Sequence, residues 1–385
     1  MPAEPVEYNF KQAFAAGPAD TMRALRFHGQ RDIRLDQVPV PVCGRGQVKI
    51  RPAFVGICGT DLHEYLGGAS LIPSAHPHPI TGEKVPLTIG HEFSGTVVEV
   101  GEGVTSHRVG DRVCVQPIIF DGTCGACLEG YINCCYSNGF IGLSGCGGGL
   151  SDFTVCPATS AIPLPPTISL EVGALIEPLA VAWHAVKTSP FRAGDDVLVI
   201  GGGPIGLAVI QVLRCKGAGQ IIVSEVSPQR KRFAAAFGAH HVLDPTDVDV
   251  VTEVRRLCSA GHGHGQGQGV HVAFDAAGVQ SGLQAAIESL RARGTLVNIA
   301  VWEKPTPIFP NDFVFKERRY MGVATFVAGE FAEVLDAIVA GTIQPSKMIT
   351  KTVPLADAVT EGYDSLIHDK DNHVKILVEV HGEVG

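Results

Sequence analysis

From about residue 22 to residue 185, apolar positions come in short β-branched runs. Residues 48–50, 94–100 (SGTVVEV) and Arg112–Val115 are examples, each cut off by Gly or Pro. Short apolar runs between such breakers predict strands and turns, not long helices. A compact, irregular β domain is therefore expected over residues 22–190. After Arg192-Ala193-Gly194-Asp195 the pattern changes. The stretch DDVLVIGGGPIGLAVIQVLRCKGAGQIIVSEV runs strand, Gly-rich turn, apolar helix, strand. A helix is expected at 229–237, strands at His241–Leu243 and Val270–Asp275, a helix at 282–290 and a strand at 294–300. Strands alternating with helices predict an α/β domain with a doubly wound parallel sheet over residues 191–325. The run 295–301 is a candidate edge strand for pairing with another chain. Residues 326–385 turn strand-like again, at 348–353 and 374–380, and are expected to return to the first domain.

Two segments lack a period. Residues 1–21 carry prolines and are expected to form a loosely held extension, and residues 261–269 (GHGHGQGQG) a flexible surface loop. That loop's two histidines are weak metal candidates, because nothing rigid would hold them.

Composition narrows the classes. The 385 residues are 45% hydrophobic and 18% charged, as in a globular chain with a large core. Acidic residues outnumber basic ones by 39 to 30, for a net charge of −9. An acidic chain without a basic run is a poor partner for nucleic acid or an anionic membrane. No apolar stretch approaches the ~20 residues of a membrane-spanning helix. The start, MPAEPVEYNF, has neither a basic nor an apolar signal region, so a cytoplasmic protein is expected. Eleven cysteines are too few and too unevenly spaced for a disulfide scaffold. Five fall between Cys124 and Cys146, with Cys124 and Cys127 as C-x-x-C, and read as reduced thiols and metal ligands. Cys43, Cys114, Cys156, Cys215 and Cys258 read as small buried hydrophobes.

Two constellations carry chemistry. Gly201, Gly203 and Gly206 form G-x-G-x-x-G between a strand and an apolar helix opened by Pro204 and Ile205. The first glycine permits a tight turn, the second lets backbone approach a pyrophosphate, and the third lets helix pack on strand. The helix N-terminus offers free N–H groups to phosphate. Glu225 ends the next strand, where a carboxylate accepts ribose hydroxyls of NAD and repels a 2′-phosphate. Arg230 works the other way, toward NADP. The second constellation is Cys58-Gly59-Thr60-Asp61-x-His63, then Gly90-His91-Glu92, then Glu177-Pro178. A thiolate, an imidazole and carboxylates suit Zn²⁺ with one position open, the arrangement of a catalytic zinc.

GHEFSGTVVEVG, CGTDLHEYL, VLVIGGGPIG and EPLAVAWHAV together resemble the zinc-dependent medium-chain alcohol and polyol dehydrogenases. The likeness covers about residues 22–382. It is strongest to the (R,R)-2,3-butanediol dehydrogenases, through CGTDLHEYLGG with the long insert up to Gly90, VSEVSPQR, NIAVWEKP and NHVKILVE. The resemblance implies a GroES-like catalytic domain plus a Rossmann domain. It implies a catalytic zinc at Cys58 and His91, with Glu92 and Glu177 ligating directly or through water. It implies a proton relay at Thr60 and His63, an NAD site at Gly201–Gly206 and Glu225, and Lys375 reaching the pyrophosphate. Residues 69–90 would shape the pocket rim. The implied reaction interconverts a vicinal diol and its hydroxyketone, 2,3-butanediol and acetoin, and the implied assembly is a homodimer or homotetramer. A sorbitol-type polyol dehydrogenase is the runner-up, and a zinc- and NAD-binding scaffold without turnover is the reading from another class. The relay residues argue against the scaffold, which has no use for them.

One lobe departs from the family pattern of four cysteines. Cys124, Cys127 and Cys135 fit three of the places, and Asp121 occupies the first. Asp is a competent zinc ligand, so a Cys₃Asp structural zinc and a metal-free lobe stay open as equal readings.

Overall fold

The computed structural model describes residues 10–11, 13–14, 20–259 and 269–381. The expected loop at 261–269 lies outside the described residues except for Gly269. The chain divides into two compact units. The first comprises residues 1–177, 327–335 and 345–385, and the second residues 178–326 and 336–344. No helix among the described residues is long and apolar enough to cross a membrane.

The first unit is built on a seven-stranded sheet. Its path runs Ala161–Pro163, Arg112–Val115, Glu92–Val100, Gln47–Gly56, Lys375–Glu379, Ile349–Pro354, with Thr154–Pro157 also paired to Gln47–Gly56. The pattern of short runs predicted this domain, because strands such as Gln47–Gly56, Glu92–Val100 and Thr154–Pro157 bury most of their side chains and stop at or beside Gly or Pro. Register matters more than strand count here. Gly56 lies opposite Glu92 on one side and opposite Leu377 on the other. Three chain segments far apart in sequence thus lie side by side at one end of the sheet.

Residues 10 and 13–14, placed by sequence in a loose extension, are tied down. Phe10 is 2% exposed and meets Phe120 edge to face, and Ala13–Phe14 pairs with Pro41–Val42. An aromatic ring that finds a buried partner outweighs the absence of a local period. The expectation of few helices over 22–185 also needs correction. Gly59–Gly67 and the first turns of Ile176–Thr188 are helical. The second is apolar on nearly all sides, so it shows no amphipathic period to find.

The second unit is a six-stranded parallel sheet. Its order is His241–Leu243, Ile221–Ser224, Val197–Ile200, Val270–Asp275, Leu290–Asn298, Arg319–Gly322. The order reverses beside Val197–Ile200, the topological switch point where such sheets bind ligands. Leu290–Asn298 holds most of the candidate edge run 295–301 but pairs on both sides, so the edge is Arg319–Gly322 instead. That strand is short and mostly exposed, with no apolar run, which hid it in the sequence. The core packs Leu198, Ile222, Val254, Ala273, Ile287 and Leu296, all buried.

Candidate functional site

The metal constellation is assembled by backbone geometry. Cys58 caps the helix Gly59–Gly67, its N–H accepted by Asp61 Oδ2 at 2.9 Å. Asp61 Oδ1 lies 3.5 Å from His91 Nδ1. Asp61 is therefore both the helix cap partner and the carboxylate that faces the ligand histidine. The sequence reading passed over it, although an acid three residues after a helix start is a capping signal. Glu92 opens the strand after His91, and Gly56 leaves room for it. A Cβ on Gly56 would stand 2.2 Å from Glu92 Oε2. The ligand atoms of Cys58, His91 and Glu92 all lie within 4.8 Å of one another. Thr60 Oγ1 is 3.7 Å from Cys58 Sγ, and His63 is exposed one turn further along the same helix.

This site is rich in buried negative charge. Asp61, Glu92 and Glu177 are 4%, 0% and 6% exposed. Burial, and then repulsion from Glu92, pushes the Glu177 carboxyl up to about 7. Burial alone would depress His91, but Asp61 and Cys58 outweigh it and hold the imidazole well above its ordinary value. His91 Nδ1 and Asp61 Oδ1 are buried without a hydrogen-bond partner. A thiolate, an imidazole and surplus carboxylates around unpartnered polar atoms fit a divalent cation with sulfur and nitrogen preference. Glu177 faces Glu92 and His91 electrostatically but stands outside the close donor group.

Lys375 corrects an expectation. Its ammonium, 1% exposed, donates to Glu92 Oε1 at 2.9 Å, Glu92 Oε2 at 2.6 Å and the Ile57 carbonyl at 3.1 Å. An ammonium has three protons, and all three are used here, so none is left for a pyrophosphate. Burial acts to lower its pKa, and Glu92 more than offsets this, so Lys375 stays charged. Residues 69–90, expected at a pocket rim, are anchored at several points while residues 74–77 stay exposed. Glu64 accepts the N–H groups of Ser70, Leu71 and Ile72, while Thr81 Oγ1 donates to the Ser144 carbonyl.

The cysteine lobe gathers Asp121, Cys124, Cys127 and Cys135, their ligand atoms within 4.8 Å of one another. Cys124 Sγ is 3.9 Å from Cys135 Sγ, which is 3.3 Å from Asp121 Oδ2. Tetrahedral ligands at the ~2.3 Å of a zinc–thiolate bond stand roughly 3.8 Å apart, so the four suit a zinc. The N–H groups of Cys124 and Thr123 hold the Asp121 carboxyl well below the usual carboxylate range. The Cys127 and Tyr136 N–H groups lower Cys124, whereas burial pushes Cys127 up to about 12. Cys134 points to solvent and Cys146 is buried elsewhere, so neither joins the group. Of the cysteines read as hydrophobes, Cys114, Cys156 and Cys258 are buried and Cys43 and Cys215 half-buried.

In the second unit, Gly201 has φ +96°, and Gly203 caps the helix Pro204–Cys215, whose first turn holds Pro204, Ile205 and Gly206. A Cβ on Gly206 would stand 2.0 Å from the Gly201 carbonyl oxygen, so only glycine lets the helix start so close to the turn. Glu225 accepts the Gly202 N–H at 2.6 Å and the Ser227 N–H at 2.8 Å. The expected ribose carboxylate is thus tied to the Gly-rich loop. A Cβ on Gly203 would stand 3.8 Å from an Arg230 Nη atom, which places that guanidinium beside the loop.

Comparison with known proteins agrees with this geometry. Residues 44–166 match the alcohol dehydrogenase GroES-like domain, and residues 204–340 match the zinc-binding dehydrogenase domain. The chain is 44% identical over 358 residues to (R,R)-butanediol dehydrogenase of Bacillus subtilis (strain 168), covering 93% of this chain and 99% of that one. The chain belongs to the zinc-binding dehydrogenase family. The (R,R)-butanediol dehydrogenase of Neisseria gonorrhoeae is 40% identical over 93% of this chain and 99% of its own. The crystal structure of 2R,3R-butanediol dehydrogenase from Bacillus subtilis superposes with a TM-score of 0.86 at 43% identity, over 94% of this chain and 100% of that one. This zinc-binding dehydrogenase is therefore an oxidoreductase with a GroES-like and a Rossmann domain.

Two outcomes follow from the site's charges. Lys375→Met leaves Glu92 buried without its cation, and breaking such a pair costs about 3–5 kcal/mol. Denaturant unfolding of the zinc-loaded protein should show that loss, and Glu92→Gln in the same chain should recover much of it. A loss under ~1 kcal/mol would mean the pair is not what stabilises this end of the sheet. Elemental analysis should find about two zincs per chain, falling to one in Asp121→Ala. One zinc in the wild type, lost on Cys58 substitution, would show that the cysteine lobe is metal-free.

Proposed function

We propose that this dehydrogenase interconverts a vicinal diol, 2,3-butanediol, and its hydroxyketone, acetoin, with NAD as hydride carrier. The observation that carries the reading is the convergence of Cys58, His91 and Glu92 in a chain that also holds the Glu225-tethered dinucleotide loop. The likeness to two (R,R)-butanediol dehydrogenases over nearly the whole chain supports the substrate.

Cys58 and His91 would hold the zinc, with Glu92 and Glu177 as the carboxylates that would ligate it directly or through water. The metal, when bound, supplies Lewis acidity that lowers the pKa of a substrate hydroxyl. The Thr60 hydroxyl, beside Cys58, would accept the substrate proton while donating its own to the cofactor ribose, and exposed His63 would pass that proton on to solvent. Asp61, its Oδ1 3.5 Å from His91 Nδ1, acts on the imidazole by charge. The loop Gly201–Gly206 and the helix N-terminus take the pyrophosphate, and Glu225 holds the adenosine ribose. Each Glu225 oxygen accepts one backbone N–H and keeps a lone pair for a ribose hydroxyl.

The same reading places the enzyme in the cytoplasm as a homodimer or homotetramer. None of the eleven cysteines is in a disulfide, as suits a reducing compartment. Among the described residues the strand Arg319–Gly322 has one paired neighbour, Leu290–Asn298, and its other side would be the one to meet a second copy.

The direct test is NADH formation, followed by absorbance, from NAD⁺ and 2,3-butanediol. Cys58→Ser should abolish turnover and leave NADH binding intact. More than a tenth of wild-type kcat in metal-analysed Cys58→Ser, roughly 1.4 kcal/mol of barrier, would remove Cys58 from the metal.

Cofactor choice tests Glu225 separately. A 2′-phosphate sets ~1.5–2 negative charges against the carboxylate. Losing a charged hydrogen bond costs about 1.5–3 kcal/mol, so kcat/KM should favour NAD over NADP at least about tenfold. Glu225→Ser should narrow that gap, chiefly by weakening NAD. Equal use of both cofactors by the wild type would mean that Glu225 does not face the ribose.

A further inference from the structure

The parallel sheet of the second unit has a second concavity, at the end opposite the dinucleotide loop. Gly201, Glu225 and Asp275 all follow or end their strands at the carboxyl side. The other cavity, about 350 Å³, lies among residues at the amino ends of those strands. One strand length, roughly 13 Å, separates the two ends. Its volume is at the small end of the range for ligand pockets, ~300–1,000 Å³.

The lining inverts the charge of the chain. The whole protein is at −9, yet Arg192, Arg291, Arg293 and Arg319 converge here against one carboxylate, Asp195. Asp195 is already engaged, since its Oδ2 accepts the Arg192 N–H at 2.8 Å and its Oδ1 lies 3.5 Å from His271 Nε2. Arg293 pairs with exposed Glu317 at 3.3 Å. Among the described residues, Arg192, Arg291 and Arg319 form no ion pair.

Independent of charge, the cavity holds unfilled donors. Thr295 is 2% exposed, and its hydroxyl has no hydrogen-bond partner. Arg291 Nε is likewise buried without one. Backbone pairing places them. Thr295 lies opposite Val272 on one neighbouring strand and Arg319 on the other, and the register shifts on the same stretch, between Leu290 and Thr295. A buried donor left unpaired in a native protein is costly and marks a ligand, ion or water not yet placed.

We infer that this cavity is an oxyanion site, taking a phosphate group either as the free ion or as the ester of a small metabolite. The planar Arg291 and Arg319 guanidiniums give charge-assisted hydrogen bonds to the oxyanion, and Thr295 Oγ1 donates from the floor. Arg192 and Arg293 form the rim. The site is separate from the proposed chemistry, and nothing in it requires zinc or NAD.

The probe is inorganic phosphate, titrated by calorimetry into zinc-loaded protein saturated with NADH, so that the dinucleotide loop is already filled. Chloride at matched ionic strength is the control. One phosphate per chain is expected. Its affinity should fall roughly tenfold in Arg291→Gln and in Arg319→Gln and severalfold in Thr295→Val, with NADH affinity unchanged. Arg192→Gln alters only an exposed loop and should also weaken binding, so the result does not hang on one variant folding. Tighter binding of a phosphate ester than of phosphate would identify the metabolite form, and equal binding the free ion. Phosphate no more effective than chloride, or equal affinity in all four variants, would overturn the inference.

Discussion

Burying a charge in this protein is tolerable only where another charge or a metal answers it, and the catalytic end of the first unit is organised around that constraint. Glu92 is fully buried, and its first answer is Lys375, 283 residues along the chain. An isolated ion there would cost several kcal/mol, so the pair has to be complete before the sheet is worth forming. Placing Lys375–Glu379 directly against Gln47–Gly56 does this, and Gly56 supplies the space for the carboxylate. Lys375 neutralises only one acid. Asp61, Glu177 and the Cys58 thiol remain, and they make the site a cation receptor before any ligand geometry is considered.

The two donor groups are held in different ways by similar side chains. At Cys58, His91 and Glu92 the donors come from two distant segments, a helix start and a strand start, with His91 and Glu92 buried and Cys58 half-buried, so strand pairing holds their arrangement. The lobe of Asp121, Cys124, Cys127 and Cys135 is local, within 15 residues and partly exposed. Backbone N–H groups there stabilise the Asp121 carboxylate at the place where the family pattern has a fourth cysteine. A carboxylate needs no deprotonation at neutral pH, so this substitution keeps a full anionic set while removing one oxidisable sulfur.

The dinucleotide loop shows a similar economy of atoms. Glu225 accepts the Gly202 N–H, so the residue proposed to read the ribose also fixes the turn proposed to receive the pyrophosphate. Gly206 brings the helix so close that its first turn starts against the Gly201 carbonyl. Recognition and loop shape are therefore not independent, and a change at Glu225 acts on both.

Local pattern alone determined much of this protein. The G-x-G-x-x-G turn, the strand–helix alternation and the C-x-x-C lobe depend on residues near in sequence, so their geometry follows from backbone preferences and spacing. Cys58, His91 and Glu92 were legible as candidate ligands by residue type and resemblance, and the fold brings their ligand atoms within 4.8 Å of one another. Tertiary structure decided the rest. Phe10 looked unanchored until Phe120 met it, and Arg319–Gly322 looked like surface until it took the sheet edge that 295–301 was expected to hold. Lys375 read as a phosphate contact and proved to be the counter-ion of Glu92, and Asp61 proved to face His91. The physical reason is common to these cases. A long, flexible or charged side chain takes its role from whichever opposite charge or cavity the fold places within a few ångströms, and strand register across hundreds of residues, not local spacing, sets that distance.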